Sequence, residues 1–503
     1  MLALRKSVSV GRGRRLVILA SVTCLAMTGC GMRISHDRVV AASGAGQSGT
    51  VVDPLTGAPV DPGAPVSGLP GASGPTGTTG NVGPLTPGPT SGSVAPVGPG
   101  TPGKPGTSGG SGGGAAGVCK GTGTILLGNV APYGASAVGQ NFAPGRDALK
   151  IWETDVNNRG GICGRKVKVF AVDDGGNASR TSAAMRDLVE NKHVVAIVAW
   201  GTALTMQAGL GYLEQKQIPV LGGDLLGMGW SSSPIMFPEG AGFDEAIYGA
   251  LTSSKRPGAA NKMALFYCAE AQSCADANDL VTRQGIGKAA GTPVVYTAKV
   301  SLTAVSFASE CQQAKQAGAD IVLMGGDASF VERIANSCAQ QGIQFRYTTV
   351  SLAVQDGQSQ NPNFQNGNFA VATPVIPWPS TATPGAKEYS AAYHRYYPDL
   401  VNSGTAMSWW ASGKLAEAVI SRIGSGAVTP ASILAAARGL RNETLNGLTG
   451  PLSFGSGGAA RGQGSPRCYY TVEVRNNKWV ARDNGKLHCR SGPALTKEGG
   501  GTR

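Results

Sequence analysis

The sequence predicts an α/β protein with two doubly wound parallel-sheet lobes, preceded by a disordered tether. Short apolar runs alternate with amphipathic stretches at roughly thirty-residue spacing, which is typical of such sheets. This rhythm starts again near Lys262, which indicates a second lobe. The tether is predicted because much of the chain's 76 Gly and 30 Pro lies before residue 118. The folded region is therefore shorter than the 503 residues of the chain.

Residues 1–29 have the organisation of a lipoprotein signal peptide. Basic residues precede an apolar stretch at 16–27, which is shorter than the ~20 residues that a permanent membrane helix needs. Small residues then lead directly to Cys30, as in a bacterial lipobox. We expect a lipidated Cys30 to anchor the protein to the outer face of the cell membrane. The alternative is an ordinary secretory signal with an incidental Cys.

The segment 30–117 begins with Cys30 and, from about residue 41, is almost wholly Gly, Pro, Ser, Thr, Ala and Val. Such a segment cannot bury enough apolar surface to offset its ordering entropy, so we expect disorder. As a random coil it would reach about 50 Å. The tether would lift the folded region clear of the membrane surface.

Charge and motifs argue against two functional classes. The formal net charge is +13, but no dense Lys/Arg run with interleaved aromatics is present, so we expect no nucleic-acid partner. Outside the Gly-rich segment before residue 118, the sequence contains no GxSxG, P-loop or HExxH motif, so we do not expect an enzyme. No cofactor and no metal ion are expected either.

The cysteines that follow Cys30 indicate an oxidising compartment. Their even number in an exported chain suggests four disulfides, and their spacing gives no paired CxxC units for zinc. Sequence alone leaves the connectivity open. Pairing neighbours in order gives Cys119–Cys163, Cys268–Cys274, Cys311–Cys338 and Cys468–Cys489.

Apolar periodicity places the elements of the first unit. Strands are expected at 124–130, 166–172, 194–199 and 218–221, and helices at 143–158, 179–191 and 205–216. The helix 143–158 carries Leu149, Trp152 and Val156 at helical spacing, and two glycines follow it as a stop signal.

The second unit repeats the pattern. Strands are expected at 262–267, 294–296 and 321–324, and helices at 276–284, 304–317 and 330–341. Three further helices are expected at 386–397, 408–423 and 430–439, before a hairpin with strands 468–474 and 479–481. Asn476 and Asn477 suit the turn of that hairpin. Residues 491–503 are expected to be a disordered tail.

Six strings occur along this region in a fixed order. They are GNVAPYG at 128–134, DVNNRGGICGR at 155–165, VDD at 172–174, KQIPVLGG at 216–223, ADIVLMGG at 319–326 and LTGPLSF at 448–454. In this order they resemble the leucine/isoleucine/valine-binding protein family, which has the type I periplasmic-binding-protein fold. The resemblance extends from about Gly123 to Trp479.

The resemblance implies two lobes joined by crossover strands, with a ligand held between them. Lobe 1 would comprise 118–250 and 376–440, and lobe 2 would comprise 256–375 and 445–490. The implied function is that of a solute-binding receptor of an ABC importer, which binds a small polar molecule such as an amino acid or amide without chemistry. The implied partners are the ligand and the ABC permease subunits, and the receptor would be a monomer.

Loops at strand ends supply the candidate ligand residues of the first lobe, because ligands of open α/β sheets lie at the carboxyl ends of strands. Gly201 and Thr202 would offer N–H groups to a carboxylate, whereas Trp200 would either form an apolar wall or pack between the lobes. Gly223 and Asp224 follow the fourth strand, and Asp224 would either pair with a ligand amine or cap a helix. Two further candidates, Tyr133 and Gln140, border the first loop.

The second lobe contributes three candidates. Gln272, between two cysteines, either contacts the ligand or is a surface polar residue. Asp327 stands where branched-chain receptors present an aromatic residue. Ser351 lies near their acidic partner for the ligand ammonium, and no Asp or Glu is found there. Either Asp327 or Asp224 supplies that countercharge, or the ligand is not an α-amino acid.

Two alternatives remain open at this stage. A ligand-sensing lipoprotein could use the same two lobes without an importer, and the sequence does not separate the two functions. An enzyme is the second alternative, and turnover of a bound small molecule would support it. The adjacent Asp173 and Asp174 are interpreted as structural, because neighbouring residues at a strand end point apart.

Overall fold

The computed structural model describes residues 120–134, 137–455, 466–491 and 495. The expected signal peptide, Cys30, the tether, Cys119 and most of the expected 491–503 tail lie outside the described residues. Within the described ranges, no helix is both long and apolar enough to cross a membrane.

The first lobe is built on a sheet of five parallel strands. The strands are β1 (Thr124–Ala131), β2 (Lys166–Asp173), β3 (Ala196–Trp200), β4 (Val220–Gly223) and β5 (Met236–Phe237). The accompanying helices are α1 (Ala137–Asn158), α2 (Ala178–Arg186), α3 (Met206–Lys216) and α4 (Gly229–Ser232). The strand order is β2-β1-β3-β4-β5. Every residue of β3 and β4 is buried, which explains their continuous apolar character in sequence.

The second lobe repeats this design with four parallel strands. The helices are α5 (Phe243–Ser254), α6 (Gln272–Thr282), α7 (Ile286–Ala289), α8 (Ala308–Gln316) and α9 (Ala328–Gln340). The strands are β6 (Met263–Cys268), β7 (Val294–Val300), β8 (Ile321–Gly325) and β9 (Arg346–Thr348). Their order is β7-β6-β8-β9. The two-lobed, doubly wound α/β fold predicted from the sequence is therefore confirmed.

The C-terminal third of the chain returns to both lobes. Its helices are α10 (Pro384–Tyr396), α11 (Gly404–Ser421) and α12 (Pro430–Arg438), and its strands are β10 (Ala370–Thr373), β11 (Cys468–Arg475), β12 (Lys478–Ala481) and β13 (His488–Cys489). Helix α11 packs on α1 and β4 of the first lobe. Strands β10 to β13 form an antiparallel sheet, which single bridges at Tyr347 and Val350 join to the second lobe.

The chain crosses between the lobes three times, at 238–242, at 374–383 and in the segment after Arg438, of which 439–455 and 466–467 are described. The described parts of these segments are hydrogen-bonded to one another, because Ala241 N–H donates to the Pro374 carbonyl (3.4 Å) and Ile376 N–H donates to the Leu448 carbonyl (2.7 Å). The expected lobe boundaries stay a prediction. The packing of α5 on β10 and β11 favours a first boundary near residue 242 rather than 250.

Three disulfides join the cysteine pairs expected from sequence order: Cys268–Cys274, Cys311–Cys338 and Cys468–Cys489. Cys163 is also disulfide-bonded. Its expected partner, Cys119, lies outside the described residues.

The prediction of elements was incomplete: strands β5, β9, β10 and β13 and the short helices α4 and α7 were not expected, and two longer helices also differ from the prediction. Helix α5 was missed although Phe243, Ile247 and Leu251 recur at helical spacing. The first helix begins at Ala137, six residues before the expected start, and contains Pro144. Proline has no N–H to bond the carbonyl of Gln140, four residues earlier. That carbonyl instead accepts a hydrogen bond from Nε2 of Gln355 (2.7 Å), so the proline is accommodated by a tertiary contact.

Candidate functional site

The two parallel sheets present the carboxyl ends of their strands to a shared crevice between the lobes. The loops after β3 and β4 come from the first lobe, and those after β6 and β8 come from the second. The lobes touch across it. Asn141 Oδ1 accepts a hydrogen bond from the N–H of Ala328 (3.2 Å), and Ser273 Oγ donates to the carbonyl of Ala203 (3.3 Å).

A cavity of about 80 Å³ lies at this crevice and extends into the core of the second lobe, where Ile247, Leu265 and Leu323 line it. Its lining is mainly apolar and includes Leu204, Leu226, Leu265, Leu302, Met324 and Leu352. The Cys268–Cys274 disulfide contributes to the wall and closes the loop between β6 and α6. Among the described lining residues, the polar side chains are those of Asn141, Ser273 and Asp327. Such a lining suits a ligand with an apolar body and few polar groups.

The expected carboxylate site at the β3–α3 loop is occupied by the side chain of Asp224. Oδ2 of Asp224 accepts hydrogen bonds from the N–H groups of Thr202 (2.5 Å) and Ala203 (2.8 Å). Its Oδ1 accepts from the Thr202 hydroxyl (2.5 Å) and from the N–H of Leu226 (3.0 Å). The N–H groups that could have received a ligand carboxylate therefore bind a carboxylate of the protein itself.

Two buried carboxyl groups lie next to each other beneath this loop. Burial raises the pKa of Asp224 to about 6, although its four hydrogen bonds oppose that shift. Burial raises the pKa of Glu239 to about 8, and the nearby charge of Asp224 acts in the same direction. Near neutral pH the pair therefore carries one negative charge, on Asp224, while Glu239 is largely protonated.

Asp327 is the charged residue that lines the cavity. It caps the N-terminus of α9, where its Oδ1 accepts hydrogen bonds from Phe330 N–H (3.0 Å) and from Ser329 Oγ (2.7 Å). Its Oδ2 is buried and has no hydrogen-bond partner among the described residues. Asp327 is only 3% exposed, so this oxygen is cut off from bulk solvent.

Three other predicted residues of the first lobe serve its packing. Trp200 is fully buried and does not line the cavity. A Cβ added at Gly201 would lie 2.5 Å from Cβ of Ala131, so glycine permits the close packing of this loop. Gly223 donates its N–H to Oε2 of Glu239 (3.1 Å). These contacts link the loop to the core beneath it.

The remaining predicted residues lie outside the cavity lining. Tyr133 donates its hydroxyl to Asn129 Oδ1, and its ring packs edge-on against Trp409. The carbonyl of Gln140 joins the lobes through Gln355. Gln272 is exposed and donates to Asp276 (2.9 Å). Ser351 is buried between two residues that do line the cavity.

Asp173 and Asp174 accept hydrogen bonds from nearby loops and helices, which agrees with their interpretation as structural residues. Asp173 accepts a hydrogen bond from the N–H of Tyr133 (2.7 Å), and backbone hydrogen bonds keep its pKa below the usual value against the effect of burial. Asp174 is buried and accepts from the hydroxyls of Thr181 and Thr205.

Most of the residues that form the cavity wall were not predicted from the sequence. Leu204 and Leu226 follow strand ends in loops, where a large apolar residue is a usable signal because loops are normally polar. Asn141 had no signal, because its helix was expected to begin two residues later. Leu302 lies in the β7–α8 loop, and only the tertiary arrangement brings it to the crevice.

A second, more open recess of about 410 Å³ lies where α10 meets the C-terminal hairpin, and Trp378, Tyr389 and Trp479 contribute to its walls. It lies away from the strand ends of both lobes. The crevice between the lobes is therefore the candidate site.

Comparison with known proteins identifies relatives of the whole folded region. The sequence model of a family described as periplasmic binding protein matches residues 124–479. No curated protein matches the chain in sequence.

Solved structures share the fold at low sequence identity. A fatty acid ABC transporter substrate-binding protein from Thermomonospora curvata matches with a TM-score of 0.61 and 16% identity, covering 74% of this chain and 95% of its own. A branched chain amino acid ABC transporter protein from Thermus thermophilus with bound valine gives 0.63 and 14%, covering 74% and 98%. A solute binding protein from Rhodopseudomonas palustris BisB5 in complex with 3,4-dihydroxy benzoic acid gives 0.57 and 18%, covering 75% and 99%.

Proposed function

The chain belongs to the periplasmic binding protein family, and we propose that it is the receptor of an ABC importer for a small, largely apolar molecule. The family consists of binding proteins rather than enzymes and indicates an extracytoplasmic location. The observation that carries the proposal is the apolar cavity between opposed strand ends of two lobes that touch across it.

The composition of the cavity wall supports an apolar ligand. Burying apolar surface contributes about 25 cal/mol per Å², whereas a polar group placed in such a wall without a partner costs several kcal/mol. The resemblance found in the sequence implied a small polar ligand such as an amino acid. The aliphatic wall, and the occupation of the Thr202 loop by Asp224, favour a different ligand class.

The similar structures support this choice in outline. They are a fatty acid transporter protein, a protein with bound valine and a protein with bound 3,4-dihydroxy benzoic acid. Each of these ligands combines an apolar body with polar groups at its ends. We infer that this chain binds a ligand of the same general build, with its apolar part against Leu204, Leu226 and Leu302.

Thermal unfolding in the presence of candidate ligands tests the proposal. A ligand that binds the native state at a hundred times its Kd stabilises it by about 2.7 kcal/mol, which raises the Tm. We expect gains with short alkanes that bear one polar end, such as aliphatic amines and alcohols. A Tm gain restricted to glutamate, lysine and other strongly polar solutes would contradict the proposal.

Two matched variants localise the binding. Leu226→Glu places a charge in the cavity wall, and we expect it to abolish the ligand-induced Tm gain. Leu400→Glu makes the same change at a similarly half-buried position outside the cavity lining, and we expect it to keep the gain. Equal gains in both variants would place the ligand elsewhere.

We further propose that Cys30 is lipidated and holds the receptor on the outer face of the membrane beside its permease. The support is the apolar stretch 16–27, followed by Thr28, Gly29 and Cys30, in an extracytoplasmic family. Cys30→Ala should release the protein into the medium and remove labelling by radioactive palmitate. If this variant kept both the palmitate label and its association with the membrane, lipidation of Cys30 would be excluded as the anchor.

A further inference from the structure

The two buried aspartates at the crevice differ in how far their carboxylate oxygens are hydrogen-bonded. This difference indicates which polar group the ligand presents. Four hydrogen bonds satisfy the carboxylate of Asp224. Asp327 lines the cavity, and its Oδ2 is buried and has no hydrogen-bond partner among the described residues.

We propose that Asp327 determines the specificity of the site by accepting a hydrogen bond from an ammonium or hydroxyl group at the end of an otherwise apolar ligand. This inference rests on the proposed function and narrows its substrate class. The preferred ligands are aliphatic amines and, less tightly, the corresponding alcohols, whereas free carboxylates are disfavoured.

The charge around Asp327 favours a donor and, in particular, a cation. The N-terminus of α9 and the Phe330 N–H stabilise the ionised carboxylate through Oδ1. Arg333 Nη1 contacts the Ser329 hydroxyl (2.9 Å), which in turn donates to Oδ1, so this cation acts on the same oxygen. No Lys, Arg or His is among the described residues that line the cavity, so a ligand ammonium would be the charge facing Oδ2.

Asp224 explains why carboxylates are disfavoured. Its carboxylate already holds the N–H groups of Thr202 and Ala203, which form the anion-binding loop of the first lobe. A ligand carboxylate would have to displace it and would also face the charge of Asp327. Two like charges in a buried site are mutually destabilising.

A series of ligands with one skeleton tests the inference by isothermal titration calorimetry on the intact protein. The series is 3-methylbutan-1-amine, 3-methylbutan-1-ol, 3-methylbutanoate and leucine. We expect the amine to bind at least tenfold more tightly than the carboxylate, with the alcohol between them, because a charge-assisted hydrogen bond is about twice as strong as a neutral one. Tightest binding of the carboxylate or of leucine overturns the inference and leaves the apolar receptor intact.

Two variants examine the two aspartates separately. Asp327→Asn keeps the capping oxygen of α9 and should fold, because Asn is as good an N-cap as Asp. It should weaken binding of the amine tenfold or more and that of the alcohol less. Asp224→Ala should open the anion-binding loop and strengthen binding of 3-methylbutanoate.

The outcomes separate the two levels of the proposal. Unchanged amine affinity in Asp327→Asn, with the native fold confirmed by circular dichroism, overturns the role of Asp327. Failure of the whole series to bind, together with no Tm gain from any apolar compound, overturns the apolar receptor itself.

Discussion

Asp224 and Glu239 place two carboxyl groups in the core of the first lobe, where one of them is largely neutral near pH 7. Glu239 is fully buried, and its Oε2 accepts the N–H of Gly223 while Oε1 has no partner among the described residues. It lies on the first segment that crosses between the lobes. A group with this environment makes stability depend on pH, because the native state holds a proton that the unfolded chain releases.

Glu239→Gln should remove part of that pH dependence. The pKa of Glu239 is about 8 in the native state and near 4.5 when unfolded, so the folded chain binds more protons between these values. Stability therefore falls as pH rises through this window, by up to about 1.4 kcal/mol per pH unit. Urea unfolding between pH 6.5 and 8 should show a slope in the wild type that is smaller in the variant. If the stability of the wild type and of the variant depended on pH with the same slope, Glu239 would not hold a proton in the native state.

At the scale of elements, the packing of α11 on α1 holds the first lobe together at two glycines. A Cβ added at Gly413 would lie 2.4 Å from the ring of Trp152, and one at Gly145 would lie 2.7 Å from the ring of Trp409. Both tryptophans are fully buried and cannot move aside. Each helix therefore presents a glycine to a tryptophan of its partner, which allows the two axes to approach closely.

Gly413→Ala should destabilise the protein by about 1–3 kcal/mol, because overpacking outweighs the better helix propensity of alanine. Gly211→Ala is the control in the exposed middle of α3, where an added Cβ meets nothing within 4 Å. It should stabilise by about 0.5–1 kcal/mol. Chemical unfolding measures both, and a gain in stability for Gly413→Ala would show that the interface has room.

At the scale of the whole molecule, three crossing segments and a small set of hydrogen bonds across the crevice join the two lobes, and we expect them to set how readily the lobes open. One bond runs from Nε2 of Gln355 to the carbonyl of Gln140, the carbonyl that Pro144 leaves free within α1. Gln355 does not line the cavity. It can therefore influence ligand affinity through the population of the closed form, without touching the ligand.

Gln355→Glu should weaken ligand binding several-fold and speed dissociation. The substitution keeps an acceptor for the local helix cap and replaces the donating amide with an oxygen that faces the Gln140 carbonyl. Small-angle scattering of the free protein should show a larger radius of gyration. Gln340→Glu makes the same charge change at the exposed end of α9 and should leave affinity unchanged. If the two variants bound the ligand with equal affinity, the hydrogen bond between Gln355 and Gln140 would not contribute to the closed form.

The prediction from sequence was accurate where the signal was local. Strand β3, helix α3 and the hairpin turn at Asn476 and Asn477 were placed within two residues, because apolar runs and left-handed turn residues act over short stretches. Helix α5 was missed although its signals are local: glycines precede it, and Asp244 and Glu245 lie in its first turn. The start of α1 was missed because Pro144 is expected at a helix start rather than in its interior.

The sequence by itself determined the two α/β lobes and the family, because alternating periodicity and short ordered strings are properties of neighbouring residues. It left the disulfide connectivity open, and the structure shows that three pairs follow the order of the cysteines in the chain. Only the tertiary structure decided which side chains meet at the crevice. Of the ten predicted ligand residues, Asp327 alone is among the described residues that line the cavity. Asp224 and Thr202 are 22 residues apart in sequence, and their hydrogen bond follows from the adjacency of β3 and β4 in the sheet. Contacts of this kind depend on how strands and lobes are arranged in space, which no local pattern specifies.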